Sequence, residues 1–403
     1  MKYDVVIVGA GPAGSTAATF LAKKGFKVAL VDKDKFPRTK SCGGGVPMST
    51  IKRFFYLKNS DFIESYAYGG FIHSPSLKYQ IEFHGEKPVA AMVTRERFDH
   101  GLALIAVDNG AQFLDGKKVK DVHVFPDKTR VTLEDQTTIS ADVIIGADGI
   151  PSTIARKSGL TPREKKVNVC VLQEYKLDEK TLDEYATKER IGHLHLMYEN
   201  IPGYAWLFTK KDRVNIGVGE FMLFRKYAPK KVSLVEIYNS YFKMLQRDKL
   251  IPKDLEIGNV RGGIVPIYPL EQTYSERLVL CGDAAGFINP VSGGGIHFAM
   301  VSGENAATVI SDAFENENFK SSFLSRYQQL WMEEFGKDLR TFARFTNIWL
   351  RQAEKFVKIA SRDQRLTDIA AKFLYGDIRV RDYRGRIMAY YLQGRIKDAL
   401  GLL

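Results

Sequence analysis

The chain has 403 residues, 45% of them hydrophobic and 26% charged, enough for two or three domains with a substantial core and too apolar for an intrinsically disordered protein. No apolar run reaches the roughly 20 residues that span a bilayer, and the N-terminus enters a strand at once, so a cytoplasmic protein is expected. Cys42, Cys170 and Cys281 lie far apart with no CxxC pair, which excludes a zinc cage or disulfide framework as the organising device and leaves no metal site expected. A net charge of +12 and a pI near 9.3 fit a basic surface with no partner of its own or one of three partner classes: an anionic membrane surface, an acidic protein, or nucleic acid. No nucleic-acid-reading motif accompanies the charge, so no nucleic-acid partner is expected.

In chain order, the apolar run ending at Val8 reads as a buried parallel strand that runs directly into Gly9, Gly11 and Gly14 of a GxGxxG turn. The first glycine allows the tight turn, the second lets backbone approach a pyrophosphate, and the third lets the following helix pack closely on the strand. Ser15 to Lys24 continue as that helix and Gly25 closes it. A second strand, Lys27 to Val31, delivers Asp32 about 20 residues past the first glycine, where a carboxylate can hydrogen-bond a ribose hydroxyl. Together these elements predict dinucleotide binding.

After a polar loop with Pro37 and Arg38 comes Cys42 followed by Gly43, Gly44 and Gly45. Three consecutive residues without Cβ let backbone lie flat against a ring or a phosphate. Residues 65–94 read as strands, and an apolar-periodic helix is expected over 101–107 behind Arg95 and Asp99. Residues 111–119 and 122–133 are strand-like. Residues 142–147 form a buried strand that feeds Asp148-Gly149 and Ser152, returning the chain to the nucleotide-binding layer. Residues 166–270 are aromatic and turn-rich, with helical character expected only around 232–247. Within them Tyr204, Trp206 and Phe208 alternate and share one strand face, as core packing or as the wall of an apolar channel. His193 and His195 share a strand face as well and read as pocket or surface histidines, since no acidic or cysteine ligand stands at a suitable spacing.

A last buried strand, 278–281, runs into Gly282-Asp283, and Asn289-Pro290 with Gly293 to Ile296 opens a small-residue helix whose first amides can face phosphate or a ring carbonyl. From about Ser322 the chain is helical and basic. Cations exceed acids by about seven after Thr341, with Phe342, Phe345, Trp349, Phe356, Tyr390 and Tyr391 interleaved. Met388, Leu392, Ile396 and Leu400 recur four residues apart beside Arg386, Arg395 and Lys397. The first expectation for this stripe is packing on the protein's own surface, with peripheral contact to anionic lipid as the alternative.

The order of the GxGxxG turn, Arg95-x-x-Phe98-Asp99, Asp148-Gly149 and Gly282-Asp283 resembles FAD-dependent enzymes of the para-hydroxybenzoate hydroxylase fold. Within that group, Cys42 with its glycines, Tyr204-x-Trp206-x-Phe208 and the Asn289 to Ile296 segment resemble the geranylgeranyl reductase family over residues 1 to about 325. The sequence departs from the family at Thr209, where proline usually follows the aromatic run.

The resemblance implies an α/β fold: a Rossmann-like FAD-binding domain (1–64, 95–165 and 271–325), a discontinuous sheet-rich substrate domain (65–94 and 166–270) and a C-terminal helical region (326–403). It implies FAD contacts at Gly9, Gly11, Ala13, Gly14, Asp32, Cys42, Gly43, Gly45, Arg95, Val119, Asp283, Gly295 and Ile296. The implied activity is hydrogenation of isoprenoid carbon–carbon double bonds in membrane lipids or prenyl diphosphates. Tyr204, Trp206 and Phe208 would line the channel, Cys42 or His297 would supply the proton, and Cys42, Tyr204, Trp206 and His297 form the candidate catalytic set. With no second nucleotide-binding unit legible, the electron donor would be NAD(P)H docking transiently or a small acidic ferredoxin-like protein. An isoprenoid lipid, an acidic electron-transfer protein and an anionic membrane, met peripherally at the inner face of the cell membrane, are the expected partners. An aromatic monooxygenase, a reductase of prenylated quinone tails and a lipid-binding flavoprotein without turnover are the alternatives.

Overall fold

The computed structural model describes residues 2–162, 167–222, 233–374 and 379–401. The first residue of the expected helix at 232 and the side chains of Phe345 and Trp349 lie outside the described residues. The chain forms two compact units. The first gathers Met1–Lys40, Arg95–Lys166 and Val265–Ala343, and the second gathers Ser41–Thr94, Val167–Ile264 and Arg344–Leu403. Residues 41–64, given above to the FAD-binding domain, therefore group with the sheet-rich unit, and the C-terminal helical region divides at 343/344.

The first unit is built on an eight-stranded sheet. Lys2–Val8 pairs in parallel with Thr138–Gly146 on one side and with Val28–Val31 on the other, and Gln112–Leu114 and Leu278–Leu280 extend the parallel core. These strands are nearly continuous runs of Val, Ile and Leu because both of their faces are covered. Val119–Val124 and Thr129–Leu133 add an antiparallel excursion. Helix Pro12–Lys23 packs on helix Ile296–Glu315 through small residues: a Cβ on Gly303 would stand 2.3 Å from the Ala13 carbonyl oxygen, and one on Gly282 would stand 3.0 Å from the Ala13 Cβ. Ala13 is thus where these two helices and the Gly282 turn meet.

The second unit carries a seven-stranded sheet in the order Arg261–Pro266, Val167–Lys176, Arg213–Glu220, Gly203–Thr209, Gly192–Leu196, Gly69–His73, Gln80–His84. Strand alternation sorts its side chains onto two faces. One face, with Ala205, Leu207, Val214, Ile216 and Val218, is covered by the amphipathic helix Leu234–Arg247 through Ile237, Tyr238, Tyr241 and Phe242. Ser233 and Glu236 start that helix with a reciprocal capping box. On the other face Leu196 and Ile81 pack with Ala353, Val357, Ile359 and Leu366 from the C-terminal helices.

The helix behind Arg95 is longer than its apolar period suggested and runs Arg95–Asp108, so Arg95 and Asp99 stand one turn apart on one face. The sheet-rich region also holds a second helix, Glu179–Ala186, capped by the Asp178 carboxylate on the Thr181 amide. Its short length and single apolar turn hid it among turn residues. The Met388, Leu392, Ile396 and Leu400 stripe does not pack on the protein's own surface: the four side chains are 52%, 53%, 61% and 67% exposed. No helix among the described residues is long and apolar enough to cross a membrane.

Candidate functional site

In the first unit the GxGxxG turn is fixed by close approach. Gly9 has φ of +104°, and a Cβ there would lie 2.2 Å from the Ala147 carbonyl oxygen; a Cβ on Gly14 would lie 1.9 Å from the Gly9 carbonyl oxygen. Helix Pro12–Lys23 starts with Gly11 as its N-cap, makes no side-chain capping bond and has Pro12 in its first turn, which leaves its N-terminus without a side-chain anion of its own. The same holds where Gly295 caps helix Ile296–Glu315. Asp32 is buried, and its two carboxylate oxygens accept from the Ala10 and Asp34 amides at 2.7 and 2.9 Å, which ties the acid to the glycine turn. The Asp32 carbonyl accepts from the Lys117 amide at 2.7 Å, and two residues on, Val119 begins strand Val119–Val124, paired with Leu133.

Arg95 forms a bidentate pair with Asp99, both bonds 2.7 Å, and Arg38 reaches the same carboxylate at 2.9 Å. Burial opposes the charge of Asp99, but the Arg95 guanidinium and its hydrogen bonds, with Arg38 and Lys40 behind them, hold its carboxyl below the ordinary range. A Cβ on Gly11 would meet nothing nearer than the Arg95 guanidinium at 4.0 Å. Open space above glycine, a helix N-terminus without a side-chain cap and a clamped arginine fit a pyrophosphate. Arg95→Lys keeps the charge and loses the fork, so FAD affinity should fall about tenfold, read from the fluorescence of released flavin on dilution.

Asp283 sits in a short turn at the end of strand Leu278–Leu280, 3.9 Å from Lys40, and an added Cβ on Gly295 would lie 3.4 Å from its carboxylate. The Asn289 side chain accepts from the Val291 and Ser292 amides, closing the loop that leads into Gly295 and Ile296. His297 lies in the first turn of that helix, partly buried, with its ring 5.3 Å from Phe298. Asp148, by contrast, is spent on structure: it accepts from Ser152, Thr153 and Ile154 and so starts helix Thr153–Lys157.

In the second unit Tyr204, Trp206 and Phe208 do share a face, with ring centroids 5.7 and 6.3 Å apart in succession. The indole lies across Gly217 of the neighbouring strand, where a Cβ would stand 2.1 Å from the ring, and its N–H donates to Asn215 Oδ1 at 2.8 Å. The Cys42 loop meets this wall, since a Cβ on Gly43 would be 2.9 Å from the Phe208 ring and 3.5 Å from the indole nitrogen. Gly44, at φ of +82°, leaves 2.1 Å between its notional Cβ and the Val93 carbonyl oxygen, so two of the three glycines are required by space. Gly45 has nothing within 4 Å and begins the short strand Gly45–Pro47.

A polar network missed by the sequence reading holds the loop. Asn215 Nδ2 donates to the Cys42 carbonyl at 3.0 Å and to Glu174 at 3.1 Å, while the fully buried Lys210 ammonium donates to the same Glu174. Glu174, Asn215 and Phe208 occupy one cross-strand row, a register that residue types alone do not disclose. Burial raises the Tyr204 hydroxyl, with the Cys170 and Cys42 thiols adding to the effect, and burial pushes the Cys170 thiol up to about 11. Both groups stay protonated at neutral pH.

His193 and His195 are buried and not surface residues. They lie on the opposite sheet face, beneath helix Leu234–Arg247, stacked with His73, whose ring is 4.0 Å from that of His195. Among the described residues no group of three or more His, Cys, Asp or Glu side chains is placed to hold a metal ion.

Residues 2–330 match the model of the FAD binding domain family. The chain is 31% identical to the digeranylgeranylglycerophospholipid reductase of Methanococcus vannielii, covering 86% of each chain, and 31% identical to digeranylgeranylglycerophospholipid reductase 2 of Methanopyrus kandleri, covering 84% of this chain and 85% of the other. Its fold matches a geranylgeranyl bacteriochlorophyll reductase-like protein of Thermoplasma acidophilum with a TM-score of 0.80 at 24% identity, over 95% of this chain and 99% of that one. The flavin-dependent halogenase CmlS shares the fold at a TM-score of 0.67 and 21% identity, over 96% of this chain and 78% of its own. The glycine turn, the arginine clamp and these likenesses agree: the chain is a flavin-dependent oxidoreductase of the FAD-binding geranylgeranyl reductase family.

Proposed function

We propose that this protein hydrogenates the carbon–carbon double bonds of geranylgeranyl chains carried by a glycerophospholipid. The observation that carries the reading is the aromatic face Tyr204, Trp206 and Phe208, pinned over Gly217 and abutting the Cys42 loop. Similarity to reductases named for a digeranylgeranylglycerophospholipid supports the same substrate class. Reduced FAD, when bound, supplies the hydride that no side chain can. Gly9, Gly11, Ala13, Gly14, Asp32, Cys42, Gly43, Gly45, Arg95, Val119, Asp283, Gly295 and Ile296 would hold it.

An isolated alkene offers no polarised handle, so the protein's part is to orient it and keep water away. Tyr204, Trp206 and Phe208 provide a wide apolar wall with one fixed indole. The missing side chain at Gly217 is what lets the indole lie flat on the neighbouring strand, so the face presented to a substrate is the ring itself. A proton must reach the carbon left electron-rich by hydride addition, and Cys42 or His297 is assigned as its donor. NAD(P)H or an acidic ferredoxin-like protein would deliver the electrons, the latter drawn by the chain's net charge of +12. The protein would work in the cytoplasm, peripherally at the inner face of the cell membrane.

The test is anaerobic. Dithionite-reduced protein mixed with a digeranylgeranylglycerophospholipid should regain its flavin absorbance while the lipid gains about two mass units per reduced bond. Lipid that binds but stays unchanged, with the flavin still bleached, would reject the substrate.

A further inference from the structure

The C-terminal helix Val380–Ala399 has two apolar faces, and the fold uses one of them. Its inner face is seated on the second unit: Gly394 is buried so tightly that a Cβ would stand 2.2 Å from Ile359 Cγ2, and Tyr390 and Tyr391 pack against the cluster of Ile81, Leu196, Val357 and Ile359. Asp398 pairs with Lys358 at 2.6 Å, and the Arg365 guanidinium lies 4.3 Å over the Tyr390 ring. The helix is therefore anchored, and its outer face is presented rather than left loose.

That outer face is the exposed stripe Met388, Leu392, Ile396 and Leu400. Each step of four residues turns about 40° around the helix, so the stripe fills an arc of about 120°. Arg384 and Arg395 fall along one edge of this arc, and Arg386 and Lys397 along the other; all four are exposed. The carboxylates of the segment, Asp382 and Asp398, leave the cations in clear excess, and Asp398 is already paired inward. An apolar strip between two rows of cations on an anchored helix matches a lipid surface with anionic headgroups, where the strip enters the acyl boundary and the cations meet phosphate. A protein partner would more often meet apolar side chains ringed by mixed polar groups.

We propose that the outer face of helix 380–399 docks this protein on an anionic bilayer, lying in the interface plane. The proposal rests on the geometry of the helix and deepens the reading above, in which the substrate is itself a membrane lipid. It gives an extended isoprenoid chain a source adjacent to the protein without extraction into water.

The test uses the full-length flavin-loaded protein and sedimentation with vesicles, so that binding is read without turnover. Vesicles of phosphatidylcholine containing about a third phosphatidylglycerol should carry the protein down, and phosphatidylcholine alone should do so at least about tenfold less. Raising the salt from about 0.05 M to 0.5 M should weaken the anionic binding. L392E/I396E should reduce it by at least about tenfold, while flavin content and turnover of detergent-dispersed substrate match the parent protein. The milder R384Q/R395Q pair should lower binding to phosphatidylglycerol vesicles several-fold and leave phosphatidylcholine unaffected. Unchanged binding in both variants, or no preference for anionic vesicles, would overturn the proposal. So would self-association that the same substitutions abolish in a protein that ignores vesicles, which would assign the face to a second copy of the chain. If vesicle binding follows the expected pattern but the geranylgeranyl lipid is not reduced, the docking stands and the substrate assignment falls.

Discussion

Gly217→Val is expected to abolish most of the turnover of an isoprenoid substrate while leaving the flavin bound. The glycine faces the indole of Trp206 across the strand pair, and even the first carbon of a side chain would stand 2.1 Å from Cζ2 and 2.5 Å from Cε2. Neither the backbone of a central strand nor a ring already hydrogen-bonded to Asn215 has room to absorb this, so the ring must leave its place. Its departure strands the Asn215 side chain, which also holds the Cys42 carbonyl and Glu174. Overpacking costs about 1–3 kcal/mol and an unsatisfied buried partner a similar amount. Misplacing a positioning group by an ångström can cost about a hundredfold in rate, and kcat/KM should fall by at least that much. Gly219→Ala is the control: its Cβ would meet nothing nearer than 3.6 Å, so stability should change by less than about 1 kcal/mol. Equal losses in the two variants, or a Gly217→Val protein of unaltered kcat/KM, would show that the indole position does not govern the reaction.

The pair of glycines also shows where sequence reading runs out. The glycine turn and its link to Asp32 were legible because that unit is local: strand, glycines and helix follow one another, and the acid returns after one βαβ step to bond the Ala10 amide, whereas Arg95, far along the chain, came only from the family resemblance. The aromatic face was legible because strands alternate. Nothing in either signal says that Trp206 faces Gly217, or that Lys210, Glu174 and Asn215 meet beneath the Cys42 loop, since those contacts depend on the register of three strands. Division of the chain at Lys40, ahead of the glycine run, was hidden for a related reason: Gly44 and Gly45 bond to Val93 and pair with Met92, far along the sequence. The stripe from Met388 to Leu400 was visible as a period of four, but its exposure followed from the opposite face, where Gly394 and Tyr391 found a better seat. The burial of His193 and His195 was not legible because their neighbours, His73 on one strand and Tyr241 on a helix, come from distant segments.

Those three histidines set the acid limit of the fold. His195 Nδ1 lies 3.0 Å from the Tyr241 hydroxyl and His73 Nε2 lies 3.1 Å from His193 Nδ1, where one of the two rings must accept, so this pair cannot be doubly protonated in place. Burial, reinforced by their mutual repulsion, lowers His193 to about 3 and His195 to about 2; burial lowers His73 to about 4 against an opposing pull from Asp248. In the unfolded chain each titrates near 6.5. Above that value neither state binds the protons, and the histidines make stability independent of pH. As pH falls below it the unfolded chain takes up protons that the folded chain refuses, so stability is lost continuously until the folded values are reached. One such group contributes about 1.4 kcal/mol per pH unit, and three acting together approach about 4 kcal/mol per unit near pH 5. Urea unfolding of the second unit's sheet, followed at pH 8, 7, 6 and 5, should show a midpoint that is flat from 8 to 7 and drops steeply below 6. His195→Gln removes one titrating group but keeps a partner for Tyr241, and its midpoint should fall by about a third less over the same interval. A parent protein whose midpoint is level down to pH 5 would mean that the rings accept protons in place, and that the stacked cluster is not the dry core its packing implies.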